Sequence, residues 1–396
     1  MVERRFILCS STCSPEEFRR LFPDDKSKPG QSIQKYYRVL CGGFVRNDIS
    51  INICSKRPVN RKNTHSLFIP RRNESVEGIN YHYLGVLNIK GLGVLYSIIA
   101  AFFWFIRKKN CSKTDIVIID PLQLGHSIGC MVACKIRKIK TISYVTDVAK
   151  EYAKGGSLPL SFKSLSTRVQ INADGMIFVT EQMNNIANPK RRPYVVIEGF
   201  VDEQMADYNN DMSVKYDKKV VMYTGGLERI YGMDMLIEGF LKANVSNSEL
   251  HFYGNGSFSK NIIERANNSN CIKYFGTKEN SIIVKEQMKA TLLVNPRYTD
   301  GEYTKYSFPG KNLEYMVSGT PVLTTCLPGM PVEYIPYVYI LEEESIEAMA
   351  SVLTTLLTKP LSELSEFGNR AKEWIISNKS SKMQVLKIIK FVDNNL

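Results

Sequence analysis

The stretch Asn295–Thr325, NPRYTDGEYTKYSFPGKNLEYMVSGTPVLTT, decides the fold. Thr291–Asn295 reads as a short buried strand and Val322–Thr325 as the next, with a helix between them, which makes a βαβ unit. Pro309 is placed to begin that helix, where its missing N–H costs nothing, and Gly319 with Pro321 is placed to end it. Leu313, Met316 and Val317 form its inward stripe. Lys311 falls in the first turn, where the helix dipole opposes a cation. That placement makes sense if an anion sits at the helix end, and a phosphate suits the free N–H groups there. Arg297 and Lys305 lie on the loop leading in. Glu314 follows Lys311 by three residues and projects from nearly the same face, suited to accept hydroxyl hydrogen bonds from a ribose. The same two residues also read as an i,i+3 ion pair on a solvated helix, worth a few tenths of a kcal/mol.

Length and charge bound the rest. A chain of 396 residues is too long for one ordinary core, so two domains are expected. The nine cysteines show no CxxC and no regular spacing, and read as reduced thiols of a cytoplasmic protein. The net charge of +13 is uneven: residues 1–200 carry 31 Lys and Arg against 15 Asp and Glu. A basic half of this kind suits nucleic acid, an anionic membrane or an anionic substrate. The basic stretches contain no RNP, helix-turn-helix or zinc pattern, so nucleic acid is not an expected partner.

Along the first half, Phe6–Ser10 reads as a strand, residues 33–40 have helical spacing, Ile49–Cys54 alternates like a strand, and Ile79–Leu87 reads as another. The basic stretch Lys56–Arg72 has no periodicity and reads as a mobile loop. Val94–Ile106 is the most apolar run, followed by Arg107-Lys108-Lys109. Its 13 residues fall short of the roughly 20 that span a bilayer. It reads as a buried helix, with an interfacial membrane helix as the sharper alternative. Strands at 116–120, 141–145 and 176–180 alternate with helical stretches and place Asp120, Asp147 and Glu181 at carboxyl ends, where open parallel sheets bind ligands. A polar segment, 204–219, reads as the interdomain linker. A second alternation follows, with Gly225-Gly226 after 219–224, Gly254 after 250–253 and Gly276 after 271–275. Glycine directly after a strand permits close approach of another group to the backbone.

The second half resembles the donor domain of the glycosyltransferases with the GT-B fold, specifically glycosyltransferase family 4. The residues that carry the resemblance are YTGGLERIYGMDMLIEGF at 223–240, FYGNG at 252–256, IKYFG at 272–276 and SFPGKNLEYMVSGTPVL at 307–323. The first half resembles the acceptor domain only in outline, through Gly42-Gly43, Asp147, Ala173-Asp174 and Glu198-Gly199. The resemblance implies an α/β protein of two Rossmann-like domains facing a central cleft: an acceptor domain at 1–203, a donor domain at 204–378 and a helix at 379–396 crossing back. It implies that Glu314 holds the donor ribose, that Lys311 holds the diphosphate, that backbone near Ser307 and Phe308 faces the donor sugar, and that Gly225-Gly226 and Gly254 lie against the phosphates.

Three departures from the family pattern bear on chemistry. A second Glu, eight positions before Glu314, is replaced by Tyr306, and Glu302 is the candidate substitute. The family's Arg after the first glycine and its Lys before the next are Gly226 and Tyr231 here, so Arg229, Lys305 or Arg297 must supply the positive charge. Where relatives have a His–Asp pair, this chain has Thr146-Asp147; the resemblance implies that a leaving-group phosphate oxygen takes the acceptor proton, with Asp147 as the runner-up base. No DxD pair is present, and neither metal nor cofactor is expected. The implied activity is transfer of a sugar, with retention, from a nucleotide-diphosphate sugar to a hydroxyl of a polyprenyl-linked glycolipid or growing surface polysaccharide. The basic half would then rest peripherally on the cytoplasmic membrane face. The alternative is a catalytically degenerate GT-B protein that binds a nucleotide sugar or a partner enzyme.

Overall fold

The computed structural model describes residues 4–23, 32–61, 63–147, 160–208 and 210–396. The chain divides into two compact units, one formed by Met1–Glu198 with Ser381–Leu396, the other by Gly199–Ser380. The first unit holds strands β1 (Phe6–Ser10), β2 (Ile51–Ser55), β3 (Phe68–Ile69), β4 (Arg72–Val76), β5 (Ile79–Tyr83), β6 (Val86–Leu87), β7 (Ile116–Ile119), β8 (Lys140–Val145), β9 (Gly175–Phe178) and β10 (Tyr194–Val196). Eight of these form one sheet in the order β10-β9-β8-β7-β1-β2-β5-β4, parallel except for the β4–β5 pair. β1, β2 and β7 are buried along their whole length, as strands covered on both faces must be.

The second unit holds β11 (Lys219–Thr224), β12 (Ser248–Tyr253), β13 (Ile272–Tyr274), β14 (Leu292–Asn295), β15 (Val322–Thr325) and β16 (Tyr339–Leu341). They form one sheet, order β13-β12-β11-β14-β15-β16, with all pairs parallel. Alternate residues of β11 point to opposite cores. Val220 and Met222 pack with Leu313, Met316 and Ile375, whereas Val221 and Tyr223 pack with Leu236, Phe240 and Leu353. The chain reverses direction across the sheet between β11 and β14. Their carboxyl ends, at Thr224 and Asn295, therefore frame a topological switch point, the place where open α/β sheets bind ligands. In the first sheet the corresponding point lies between β1 and β7, beside Asp120, which follows β7 directly.

The terminal helix Ser381–Asn395 packs in the first unit against the helix Ser32–Val45. Gly43 permits this approach, because a Cβ there would sit 2.4 Å from the Ser381 carbonyl oxygen. Three expectations change. The segment 204–219 is docked on the second unit: Met205 joins its core, and the Asn210 amide donates to the Ser318 carbonyl and the Thr320 hydroxyl. The Lys56–Arg72 stretch is pinned by Arg57, which is buried and bonds to Glu17 and to the carbonyls of Ile69, Pro70 and Leu84. The apolar helix, Leu92–Ile106, buries only Ser97, Ala101 and Phe105. Leu92, Leu95, Ile99 and Phe103 stay about half exposed, because the helix packs on its neighbour through one side only. There Gly129 brings the helix Leu124–Arg137 so close that a Cβ would meet the Ile98 carbonyl at 2.1 Å. Among the described residues no helix is long and apolar enough to cross a membrane.

Candidate functional site

The site is built at the carboxyl ends of β11, β12 and β14 and at the start of the helix Gly310–Val317. Pro309 is the cap of that helix rather than its first residue, and Gly319 ends it at φ +76°. Leu313, Met316 and Val317 are buried as their spacing requires. Two further residues fix the helix against the sheet. The Thr224 N–H donates to the Tyr315 hydroxyl at 2.8 Å, and that hydroxyl donates to the Thr224 carbonyl at 3.1 Å. The Asn295 amide donates to Asn312 Oδ1 at 2.7 Å. These contacts hold the helix N-terminus beside the end of β11.

At that end the backbone of Gly225 adopts φ +127°, and a Cβ on it would lie 2.9 Å from both Cε and Nζ of Lys311. Gly254 adopts φ +133°, and its own Cβ would strike the Gly225 carbonyl at 1.8 Å. Each glycine therefore clears space that the next one needs. Gly226 is covered by Tyr231, whose ring edge lies 3.4 Å from its Cβ position. Gly310, the first helical residue, faces open space.

Lys311 donates to the Tyr223 hydroxyl, which in turn donates to the Gly226 carbonyl at 2.7 Å. Its ammonium stands 3.8 Å from the centroid of the Tyr223 ring and 5.7 Å from that of Tyr231. Arg297 stacks on the other partners of the cluster, 5.2 Å from the Tyr231 centroid and 4.8 Å from Tyr303. Two cations thus share one aromatic wall. Desolvation first, and then the charge of Arg297, pull the Lys311 pKa down to about 7, while Glu314 acts in the opposite direction. Nε of Arg297 and the hydroxyl of Ser307 are buried without a hydrogen-bond partner. A desolvated ammonium beside a guanidinium is costly unless an anion compensates it.

The other sequence-predicted residues divide by location. Glu314 lies half-buried on the same helix as Lys311. Phe308 turns its side chain into the core against Tyr334, at 5.0 Å between centroids, which leaves only its backbone to face a ligand. Glu302 and Lys305 are exposed on the 3-10 turn Glu302–Tyr306. Arg229 is turned away: its side chain is 77% exposed and pairs with Asp234 at 3.1 Å. Of the three candidate replacement cations, Arg297 is the one the structure seats against the aromatic wall of Lys311. Asp147 lies exposed in the first unit, two residues beyond β8. Among the histidines, His126 is structural, buried with Nε2 at 2.7 Å from the Cys54 carbonyl. Tyr223, Asn312 and Tyr315 carry no signal of this role in the sequence, and Tyr231 stands out there only as a departure from the family pattern.

Residues 207–374 match the model of the family described as "Glycosyl transferases group 1". No curated protein sequence matches the chain. Among solved structures, a sucrose-phosphate synthase from Thermosynechococcus elongatus aligns with a TM-score of 0.68 at 14% identity, covering 99% of each chain. HepE of Anabaena in complex with UDP aligns at 0.64 and 12% identity, over 98% of this chain and all of its own. TarM of S. aureus in complex with fondaparinux, α-GlcNAc-glycerol and UDP aligns at 0.63 and 15% identity, over 98% of this chain and 99% of that one. Likenesses at such identities speak for the fold, and the family match speaks for the second unit. The chain has the GT-B fold, and its residues 207–374 match the group 1 glycosyltransferase family model.

Proposed function

We propose that the chain transfers a sugar from a nucleotide-diphosphate donor to a hydroxyl of a glycolipid or growing surface polysaccharide, with retention, as a member of glycosyltransferase family 4. The observation that carries this reading is the Lys311–Arg297 pair, two cations on one aromatic wall beside two glycine turns. Departure of a nucleotide diphosphate builds negative charge, and preorganised cations in a dry site stabilise it. Glu314 accepts the ribose hydroxyls, and the Ser307 hydroxyl and Phe308 backbone face the donor sugar. The anomeric carbon–oxygen bond to the diphosphate breaks while the acceptor oxygen bonds on the same face. The acceptor proton passes to the leaving diphosphate oxygen, so no separate base is needed. Glu302 and Lys305 line the approach to the donor from their exposed turn.

The test is turnover of a panel of UDP- and GDP-sugars with membrane extract as acceptor. Wild type is expected to consume one donor, and Glu314→Ala to need about 10- to 100-fold more of it, the loss of a charge-assisted contact of roughly 1.5–3 kcal/mol. Failure of every donor to bind would sink the reading; binding without turnover would favour the degenerate alternative.

The acceptor side includes an anionic membrane surface. Leu92, Leu95, Ile99 and Phe103 form an exposed stripe at helical spacing, and Arg107, Lys108 and Lys109 follow it, all exposed. An apolar face with a cationic end suits a headgroup boundary, where each Lys or Arg contributes about 1 kcal/mol. Sedimentation with vesicles rich in anionic lipid is expected for wild type and lost for the double variant Ile99→Glu, Phe103→Glu. Equal binding of both proteins would remove this helix from the account.

A further inference from the structure

One face of the first sheet changes character from strand to strand. The ladder aligns Val117, Ile7, Asn52, Asn80 and Ser75 in one row, and Ile119, Cys9, Cys54, His82 and Asn73 in the next. The β7 and β1 ends of these rows lie in the core beneath the Leu92–Ile106 and Leu124–Arg137 helices. The other end is polar. Parallel strands covered on both faces are ordinarily apolar throughout, and the reverse face of β2 and β5 conforms, with Ile51, Ile53, Ile79, Tyr81 and Tyr83 all buried. The departure is confined to one strip.

That strip opens into a cavity of about 450 Å³, bounded also by Trp104 and Lys109. Asn52 is only 7% exposed, yet its amide has no hydrogen-bond partner among the described residues, and the same holds for the amide of Asn80 and the indole N–H of Trp104. These polar groups line the cavity and have no protein partner among the described residues, so they are available to a ligand. His82 Nδ1 lies 3.2 Å from Asn73 Oδ1 and must donate to it, which leaves Nε2 as an acceptor. Desolvation lowers the His82 pKa and keeps the ring neutral. The Trp104 ring tilts against His82 at 5.4 Å and meets Phe105 edge-on at 4.7 Å, which fixes it as one wall.

Amides that both donate and accept, an imidazole acceptor and a fixed indole together suit a ligand that is polyhydroxylated at its edges and carries C–H groups on one face. We propose that this cavity is a saccharide-binding site, holding a unit of glycan that does not react. It lies on the face of the sheet, away from the carboxyl-end switch point: Asn52 and Asn80 are the second residues of β2 and β5, and His82 is the fourth of β5. The first unit's candidate ligand positions, Asp120 and Asp147, are at carboxyl ends. Arg5 is engaged by Asp115 at 2.9 Å, so Lys109 is the cation that would favour a uronic acid over a neutral sugar. The site does not depend on the donor reading, because binding is measured without nucleotide.

The chain contains two tryptophans, Trp104 and Trp374, so protein labelled with 5-fluorotryptophan gives two fluorine resonances, assigned with Trp104→Phe. The probes are glucose, galactose, N-acetylglucosamine, glucuronic acid, maltose, lactose and chitobiose. At least one is expected to shift the Trp104 resonance saturably while Trp374 stays in place. Asn80→Ala should weaken that binding about tenfold, the worth of one good hydrogen bond. Asn73→Ala, at an exposed position whose loss leaves packing intact, should weaken it through His82. The proposal is overturned if no probe moves Trp104 at about 50 mM, a concentration that would reveal even the weak affinities expected of a single sugar. It is equally overturned if both tryptophans move together, or if both variants bind as wild type does.

Discussion

Lys311→Met is expected to raise the Kd for the nucleotide diphosphate about 10- to 100-fold, the loss of one charge-assisted contact of roughly 1.5–3 kcal/mol, without lowering the melting temperature of the free protein. Lys311 occupies the second position of its helix, where the dipole opposes its charge, and stands beside Arg297 on the Tyr223–Tyr231 wall. Cation–π contact offsets part of the desolvation. The remainder is a burden that only an anion relieves, so a methionine of similar length should be tolerated by the fold and rejected by the ligand. Titration calorimetry with UDP and GDP, alongside thermal melts, reads both halves. Unchanged affinity, or a large fall in melting temperature, would assign Lys311 a structural role.

The same residue dictates a pH dependence whose sign can be worked out. Its pKa is lowered from the ordinary 10.5 to about 7 in the free folded protein. Between those values the unfolded chain binds the extra proton and the folded one does not, so this residue makes stability rise with pH across that window. Ligand binding runs the other way. A diphosphate favours the charged ammonium, so binding above pH 7 must take up a proton. Affinity should be flat below about pH 7 and fall by up to tenfold per unit above it. The calorimetric enthalpy should then vary with buffer ionisation in wild type and not in Lys311→Met.

What the sequence made legible follows the range of the interactions. Lys311, Glu314 and the strand-end glycines stand out because their meaning lies in local spacing: a cation in a first helical turn, a carboxylate three residues on, a glycine after a strand. Tyr223 and Tyr315 are silent by that standard. Their hydroxyls matter only because β11 and the Gly310–Val317 helix meet, bringing together residues 88 and 91 positions apart. Arg229 and Arg297 are equivalent in a string of letters. One is drawn outward by Asp234, five residues on, and the other inward by two tyrosine rings. The Leu92–Ile106 helix misleads for a related reason: apolar composition says that a helix wants cover, and only packing says on how many sides it has it.

Gly254→Ala carries the second large effect, and it separates geometry from mere turn preference. At φ +133° an alanine is strained by about 1–3 kcal/mol before any contact is considered. Its Cβ would also sit 1.8 Å from the Gly225 carbonyl oxygen, a backbone atom that cannot rotate away. Gly225 must therefore move. It is tied to β12 by its N–H on the Tyr253 carbonyl at 2.8 Å, and it lies under the Lys311 ammonium. The variant should lose both stability, read as a lower urea midpoint, and donor affinity, because the glycine turns and the cation shift as one assembly. Gly276→Ala is the control. It also requires a positive φ, +66°, yet an added Cβ there meets nothing within 4 Å. Its cost is confined to the left-handed backbone, about 1–2 kcal/mol, and its donor affinity should match wild type. If Gly254→Ala binds the donor as well as Gly276→Ala does, the stacked glycines hold up the sheet and not the ligand.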